Sequence, residues 1–243
     1  APEDVSTAVA CINQEAINAQ NAAAFDIKAA CSGFIFSLNN ARAFIKSGLC
    51  KNILIVATDA TPRFTDWTDR SVCVLFGDGA GAMIVSATKE DRDDILNINM
   101  FSDGSCGDYI TLKTPGINCP LVEDAKEKEK PFIKMKGKDV YKYVMQTIPD
   151  KIEELLKESK MNIKDIDYFI PHQSNQRMID ALSQRLELDE TKVISNIENY
   201  GNMSAASIVV AIREAIDEGK IKLPATLLIS AFGAGMTGAN GII

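Results

Sequence analysis

Cys31, His172 and Asn202 are the residues of this chain whose types could act together on a bond. A cysteine is a nucleophile. An imidazole moves or donates a proton. A carboxamide donates hydrogen bonds to a developing oxyanion. Such a set suffices for thioester chemistry. Each residue also has an ordinary structural reading when taken alone. Cys31 lies in an alanine-rich stretch and is a possible core filler. His172 is the single histidine of the chain, and Asn202, in "NYGNMSAAS", suits a turn or a helix cap.

Their local contexts favour the chemical reading. Cys31 follows the short apolar run Ala24 to Ile27 and stands where a helix starts. A helix N-terminus supports a thiolate through its dipole and free N–H groups. His172 follows "DYFIP" and so lies at the carboxyl end of a strand, the edge where ligands gather in α/β sheets. Asn202 precedes a helix.

The elements that must position these residues alternate along the chain. A helix is expected from Cys31 to about Ser47, with Phe34, Leu38, Ala41 and Ile45 at helical spacing. "NILIVAT", Asn52 to Thr58, reads as a strand covered on both faces. Ser71 to Phe76 and Ala80 to Ala87 read as two strands joined by "GDGAG", and Ile95 to Phe101 as another. Ser102 to Pro131, with the run "EDAKEKEK", reads as a solvated loop. A long amphipathic helix follows from Gly137 to about Ser159, with Pro149 as a possible kink. Strand Ile166 to Ile170, helices Asn175 to Leu186 and Ser204 to Glu218, and strands Ala225 to Ser230 and Met236 to Ile243 complete the pattern. This alternation predicts a layered α/β fold. "FGDGAGAMIVSA" and "AFGAGMTGANGII" are alike, which suggests two related halves, residues 1–90 and 91–243.

Composition removes several classes. The 243 residues are 46% apolar, enough for a sizeable core, yet no apolar run approaches the roughly 20 residues of a membrane span. Net charge is −7, which disfavours nucleic acid as a partner. The six cysteines, at 11, 31, 50, 73, 106 and 119, form no CxxC pair, and with one histidine a zinc cluster is excluded. Reduced thiols and a cytoplasmic location are expected. Gly233, Gly235 and Gly238 match GxGxxG, but the residues beyond them read as strand, where a dinucleotide site needs a helix. Close backbone packing is the better account of both glycine-rich strings.

"DIKAACSGFIFSL", "FGDGAGAMIV", "PHQSNQRMIDA", "YGNMSAAS" and "SAFGAGMT", in that order, resemble β-ketoacyl-acyl-carrier-protein synthase III, a thiolase-like condensing enzyme family. The resemblance implies a five-layered α-β-α-β-α fold of two similar halves, here with the first half incomplete, since the family carries a strand–helix–strand stretch ahead of the point where this chain starts. It implies an acyltransferase that condenses a short acyl-CoA with malonyl-acyl carrier protein through an acyl-Cys31 intermediate. Backbone N–H groups of Cys31 and Ala234 would form the oxyanion hole, and His172 and Asn202 would stabilise the enolate. Phe76 and Phe232 would line the pocket, Arg70 would stack on the CoA adenine, and Asn175 and Arg177 would stand at the channel mouth. Acyl carrier protein, being acidic, would meet Lys138, Lys142, Arg177 and Arg185. The family implies a homodimer, no cofactor beyond its thioester substrates, and no metal. Departures are Ala234 for a common Gly, Gly238 for the usual Trp, and a longer loop over Ser102 to Pro131. A non-catalytic or incomplete subunit, or a polyketide- or hydroxymethylglutaryl-type condensing enzyme, are the alternatives.

Overall fold

A computed structural model describes residues 8–89, 92–112 and 132–243. Much of the charged stretch expected as a loop, including "EDAKEKEK", and Cys119 therefore lie outside the described residues.

The architecture follows from two amphipathic patterns meeting at one sheet. β3 (Asn97–Ser102), β6 (Tyr168–Pro171), β7 (Leu227–Gly233) and β8 (Thr237–Ile242) form a sheet in the order β3-β8-β7-β6. β6 and β7 run parallel, and β8 is antiparallel to both its neighbours. Along β7 all seven residues are buried. Alternate side chains point to opposite faces of a strand. Thus Leu227, Ile229 and Ala231 join one core cluster, while Leu228 and Phe232 join the other.

The first cluster holds α2 (Gly33–Lys46) and α6 (Ala206–Asp217) against the sheet through Phe34, Leu38, Ile208 and Ile212. The second holds α3 (Gly137–Glu158) and α4 (Gln176–Arg185) through Val144, Ile148, Ile152, Leu155 and Leu182. The α3 stripe recurs every three to four residues, as an amphipathic helix requires. Pro149 does not end α3, which continues to Glu158.

On the far side of α2 and α6 lies a second sheet, a two-stranded antiparallel pair of β1 (Asn52–Ala60) and β2 (Asp78–Ser86). Its inner face, with Ile53, Ile55, Ala57, Met83 and Val85, joins the α2/α6 core. Its outer face carries Leu54, Val56 and Ile84, 43%, 41% and 70% exposed. The order α3/α4, sheet, α2/α6, sheet is that of the five-layered thiolase-like fold, and the fifth layer is absent among the described residues.

Several local expectations are corrected. Ser71 to Phe76 is a set of turns, because Val72, Cys73 and Leu75 donate backwards to Asp69 and Val72 rather than across to a strand. "GDGAG" is not a link but the first part of β2. A Cβ at Gly77 would stand 1.9 Å from the Tyr200 carbonyl oxygen, and one at Gly81 2.4 Å from a Val209 methyl. These glycines let β2 approach the segment before α6, as close backbone packing predicts. Ala24 to Ile27 forms no strand. A helix not foreseen, α1 (Val9–Ala16), is capped from outside by Asp26, whose carboxylate accepts from the N–H groups of Val9 and Ala10 at 2.9 and 2.8 Å. The remaining short pieces are β4 (Ile110–Leu112), which pairs with β5 (Ile133–Met135), and the single turn α5 (Ile197–Tyr200).

Candidate active site

Four segments meet where β6 and β7 end. Because these strands are parallel, Pro171 lies beside Ser230 at the carboxyl edge of the sheet. His172 continues from β6 and its N–H donates to the Ser230 carbonyl at 2.6 Å. Its ring packs edge-on to Phe232, with centroids 5.5 Å apart and planes at 80°. One residue further, Gly233 touches the turn that carries Cys31. A Cβ there would lie 2.6 Å from the Cys31 backbone nitrogen.

Cys31 is the middle residue of a 3-10 turn, Ala30–Ser32, that runs directly into α2. The helix start expected from the sequence is therefore present. The turn is tied to the second half of the chain by hydroxyl groups. Thr237 Oγ1 lies 3.0 Å from the Ala29 carbonyl oxygen and 2.7 Å from Ser32 Oγ. Ala30, ahead of the cysteine, has φ 47°, a left-handed conformation that costs a residue with a Cβ about 1–2 kcal/mol.

Asn202 is held on three sides. Its N–H donates to the Leu75 carbonyl at 2.8 Å, its carbonyl accepts from Gly77 at 3.0 Å, and Oδ1 accepts from the Ser204 N–H at 2.8 Å. With Oδ1 engaged, Nδ2 is the end of the carboxamide available to donate to a ligand. Ser204 is left-handed, φ 51°, and its hydroxyl donates to Cys31 Sγ at 3.4 Å. Asn202 and Cys31 are thus linked through one serine.

Burial sets the charge state. His172 is 2% exposed, its Nδ1 has no partner among the described residues, and desolvation pushes its pKa down to about 3. The imidazole is neutral at physiological pH. Desolvation likewise pushes the Cys31 thiol up to about 11, against the Ser204 hydrogen bond that lowers it; the nearby Asp59 carboxylate adds to the rise. The resting pair is a neutral thiol and a neutral imidazole. The helix start does not by itself supply a thiolate, because Cys31 is half-buried and desolvation of its anion outweighs the hydrogen bonds that would favour it.

The other expected site residues fall into two groups. Phe232 is buried beside His172, Ala234 lies half-buried in the turn after β7, and Phe76 is half-buried and bridges in parallel to Asn202. Asn175 caps α4, accepting from the Met178 N–H at 3.0 Å, which leaves its amide nitrogen for a ligand. Arg70 is exposed in the turns before β2, and Arg177 is exposed in the first turn of α4. The four basic residues are not one cluster around a cavity. Lys138 and Lys142 are exposed early on α3, and Lys142 lines a hollow of about 350 Å³ with Asp103, Cys106 and Tyr143. Arg185, at the end of α4, lines a different groove, of about 640 Å³, against Ile152 and Leu156 on the second half of α3.

Sequence reasoning passed over Ser204, Thr237 and Gln173. Gln173 is fully buried; its Nε2 donates to the carbonyls of Pro171 and Ile194, and its Oε1 accepts from the Asn196 N–H, so it clamps the loop that carries His172. The spacing Asn202-x-Ser204 was a usable signal, since an Asn side chain readily accepts from the N–H two residues on.

Comparison with known proteins agrees with this geometry. The sequence model of 3-oxoacyl-[acyl-carrier-protein] synthase III matches residues 25–104, and that of its C-terminal part matches residues 156–243. The β-ketoacyl-[acyl-carrier-protein] synthase III of Clostridium perfringens (strain ATCC 13124) is 40% identical over 242 residues, covering 100% of this chain and 74% of that protein. That of Aliarcobacter butzleri (strain RM4018) is 41% identical, over 96% and 70%. The crystal structure of the Aquifex aeolicus VF5 synthase III superposes with a TM-score of 0.89 at 38% identity, covering 99% of this chain and 73% of that one. These matches do not favour a non-catalytic subunit or a hydroxymethylglutaryl-type enzyme. Shared architecture, a cysteine at a helix start, and an imidazole and carboxamide gathered at one sheet edge place the chain in one group: it belongs to the 3-oxoacyl-acyl-carrier-protein synthase III family of condensing acyltransferases.

Proposed function

We propose that this chain condenses a short acyl-CoA, acetyl-CoA first among them, with malonyl-acyl carrier protein to give a 3-oxoacyl-acyl carrier protein and carbon dioxide, the step that initiates fatty acid synthesis. The observation that carries this reading is the convergence of Cys31, His172 and the Asn202–Ser204 pair at the carboxyl edge of β6 and β7.

Cys31 Sγ attacks the acyl-CoA carbonyl. The thiol proton leaves with the CoA sulfur, and the acyl group stays on Cys31. Backbone N–H groups of Cys31 and Ala234 receive the oxyanion, a role that suits a turn held rigid by Thr237. Malonyl thioester then binds. Loss of its carboxylate as carbon dioxide leaves an enolate, and neutral His172 and Asn202 Nδ2 donate to its oxygen. The enolate carbon attacks acyl-Cys31, the C–S bond breaks, and the cysteine regains a proton. Neutral donors suit this step because they strengthen as the oxygen gains charge.

Phe76 and Phe232 line the acyl pocket. Arg70 stacks on the CoA adenine, and Asn175 and Arg177 stand at the mouth of the pantetheine channel. Lys138, Lys142, Arg177 and Arg185 meet the acidic carrier protein, with Arg177 the residue nearest the mouth. The chain divides near residue 90 into two halves, works as a homodimer in the cytoplasm, and uses no cofactor or metal besides its thioester substrates. No helix among the described residues is long and apolar enough to cross a membrane. Intact-mass analysis after incubation with acetyl-CoA tests the reading. One acetyl group on the peptide containing Cys31, discharged by malonyl-acyl carrier protein with release of carbon dioxide, is expected; acetyl on Cys73 or Cys106 instead would overturn it.

A further inference from the structure

Ser204 is the residue that touches both reacting stations of the site. It is 6% exposed and held at φ 51°, in the left-handed region that residues with a Cβ seldom adopt. Uncommon backbone of this kind persists where the surroundings over-determine it. Here it aims two donors from one residue. The N–H reaches Asn202 Oδ1 at 2.8 Å, and the hydroxyl reaches Cys31 Sγ at 3.4 Å across 173 residues of sequence.

We propose that Ser204 is a further catalytic residue: its hydroxyl donates to the Cys31 sulfur and supports the thiolate that attacks the acyl thioester, while its backbone N–H sets the Asn202 carboxamide for the later enolate. This rests on the condensing reaction described above. Cys31 needs such a donor because its half-buried sulfur is partly desolvated and its other neighbours do not supply charge of the right sign. His172, beyond β6, is neutral, and Asp59, near the end of β1, is an anion that opposes a thiolate. Ser204 keeps its own proton throughout, and the thiol proton ends on the departing CoA sulfur. Once the cysteine is acylated, its sulfur accepts hydrogen bonds weakly, so the hydroxyl matters chiefly for the first half-reaction. The N–H matters for the second.

Two variants separate these parts. Ser204→Ala and Ser204→Gly both lack the hydroxyl and keep the N–H, and glycine occupies a left-handed position without strain, which protects folding. Iodoacetamide alkylation of Cys31 is followed from neutral to strongly alkaline pH. Both variants are expected to alkylate about tenfold more slowly below the thiol pKa, with the profile displaced to higher pH by about one unit. Acylation by acetyl-CoA falls by a similar factor, and decarboxylation of malonyl-acyl carrier protein by pre-acylated enzyme falls less. A profile that superimposes on that of the unmodified chain, or an equal fall in both half-reactions, overturns the proposal. Failure of the unmodified chain to be acylated at Cys31 would instead overturn the reading of the function, whatever the variants do.

Discussion

The four-stranded sheet and the β1–β2 pair differ in what covers them. β7 is buried along its whole length, with α2 and α6 on one face and α3 and α4 on the other. β1 and β2 bury one face against α2 and α6 and leave Leu54, Val56 and Ile84 on the other exposed. Cys31, the proposed nucleophile, lies in the turn that directly precedes α2, a helix packed between the four-stranded sheet and that pair. Cys31 is held in place mainly from the second half: by Gly233 against its backbone nitrogen, by Thr237 across the turn, and by Ser204 at its sulfur. The site is thus a contact between segments distant in sequence, and its chemistry reports on that contact rather than on either sheet alone.

The comparison breaks most completely at the nucleophile. Cys31→Ser is expected to lower acyl transfer by roughly a thousandfold or more while leaving the thermal transition in place, because the reacting sulfur is lost and the packing is nearly unchanged. An acylation assay beside a melting curve reads both. On the side of the second half, Asn202→Ala and His172→Ala should each slow malonyl decarboxylation by about 10²–10³, the usual loss for one oxyanion donor, and acylation by less. Single-turnover measurement of each half-reaction decides it, and equal losses in the two would sink the division of roles.

Gly233→Ala tests the contact itself. The added methyl would meet the Cys31 nitrogen at 2.6 Å. Displacement of the turn should cost about a hundredfold in turnover and about 1–3 kcal/mol of stability. Unchanged turnover would show that the two halves have room to spare. The sheets themselves are compared by Ile229→Ala, expected to cost about 2–5 kcal/mol in denaturant unfolding, and Leu54→Ala, expected within about 0.5 kcal/mol on its exposed face. A Leu54 effect as large as that of Ile229 would mean that something covers that face in solution.

The two titrating groups of the site extend the comparison to the pH dependence of stability. His172 titrates near 3 in the fold and near 6.5 when unfolded, so the unfolded chain binds more protons between those values. Its contribution is complete above the unfolded pKa and is lost as pH falls toward 3. Cys31 is the opposite case. Its folded pKa, about 11, exceeds the unfolded value of about 8.5, so its contribution is complete below that value and is lost as pH rises toward 11. Stability should therefore be level from about 6.5 to about 8.5 and decline on either side. His172→Asn should flatten the acid limb, and an acid limb of unchanged slope in that variant would refute the assignment.

Residue order alone carried the helices over Phe34, Leu38 and Ala41 and over Val140, Val144 and Ile148. It also carried the strands at Asn52 and Leu227, although β1, expected to be covered on both faces, is covered on one only, and it singled out Cys31, His172 and Asn202 as candidate reacting groups. These features rest on periodicity and on residue type next to an element boundary, both of which are local. Ser71 to Phe76 looked like a strand because its apolar content is strand-like, yet the N–H groups of Val72, Cys73 and Leu75 are satisfied by carbonyls three or four residues back, which composition does not encode. "GDGAG" looked like a link because glycine permits turns. Its Asp78 to Gly81 part is strand because it pairs with Ala57 to Ala60 of β1, and its glycines are required where Met203 and Val209, far along the chain, leave no room for a Cβ. The state of the site is likewise a tertiary property. A helix start suggested a thiolate at Cys31, whereas desolvation by segments distant in sequence favours a thiol, and the same segments pair it with Ser204 and leave His172 uncharged. Desolvation depends on every atom that excludes water, and those atoms are brought together only when the chain has folded.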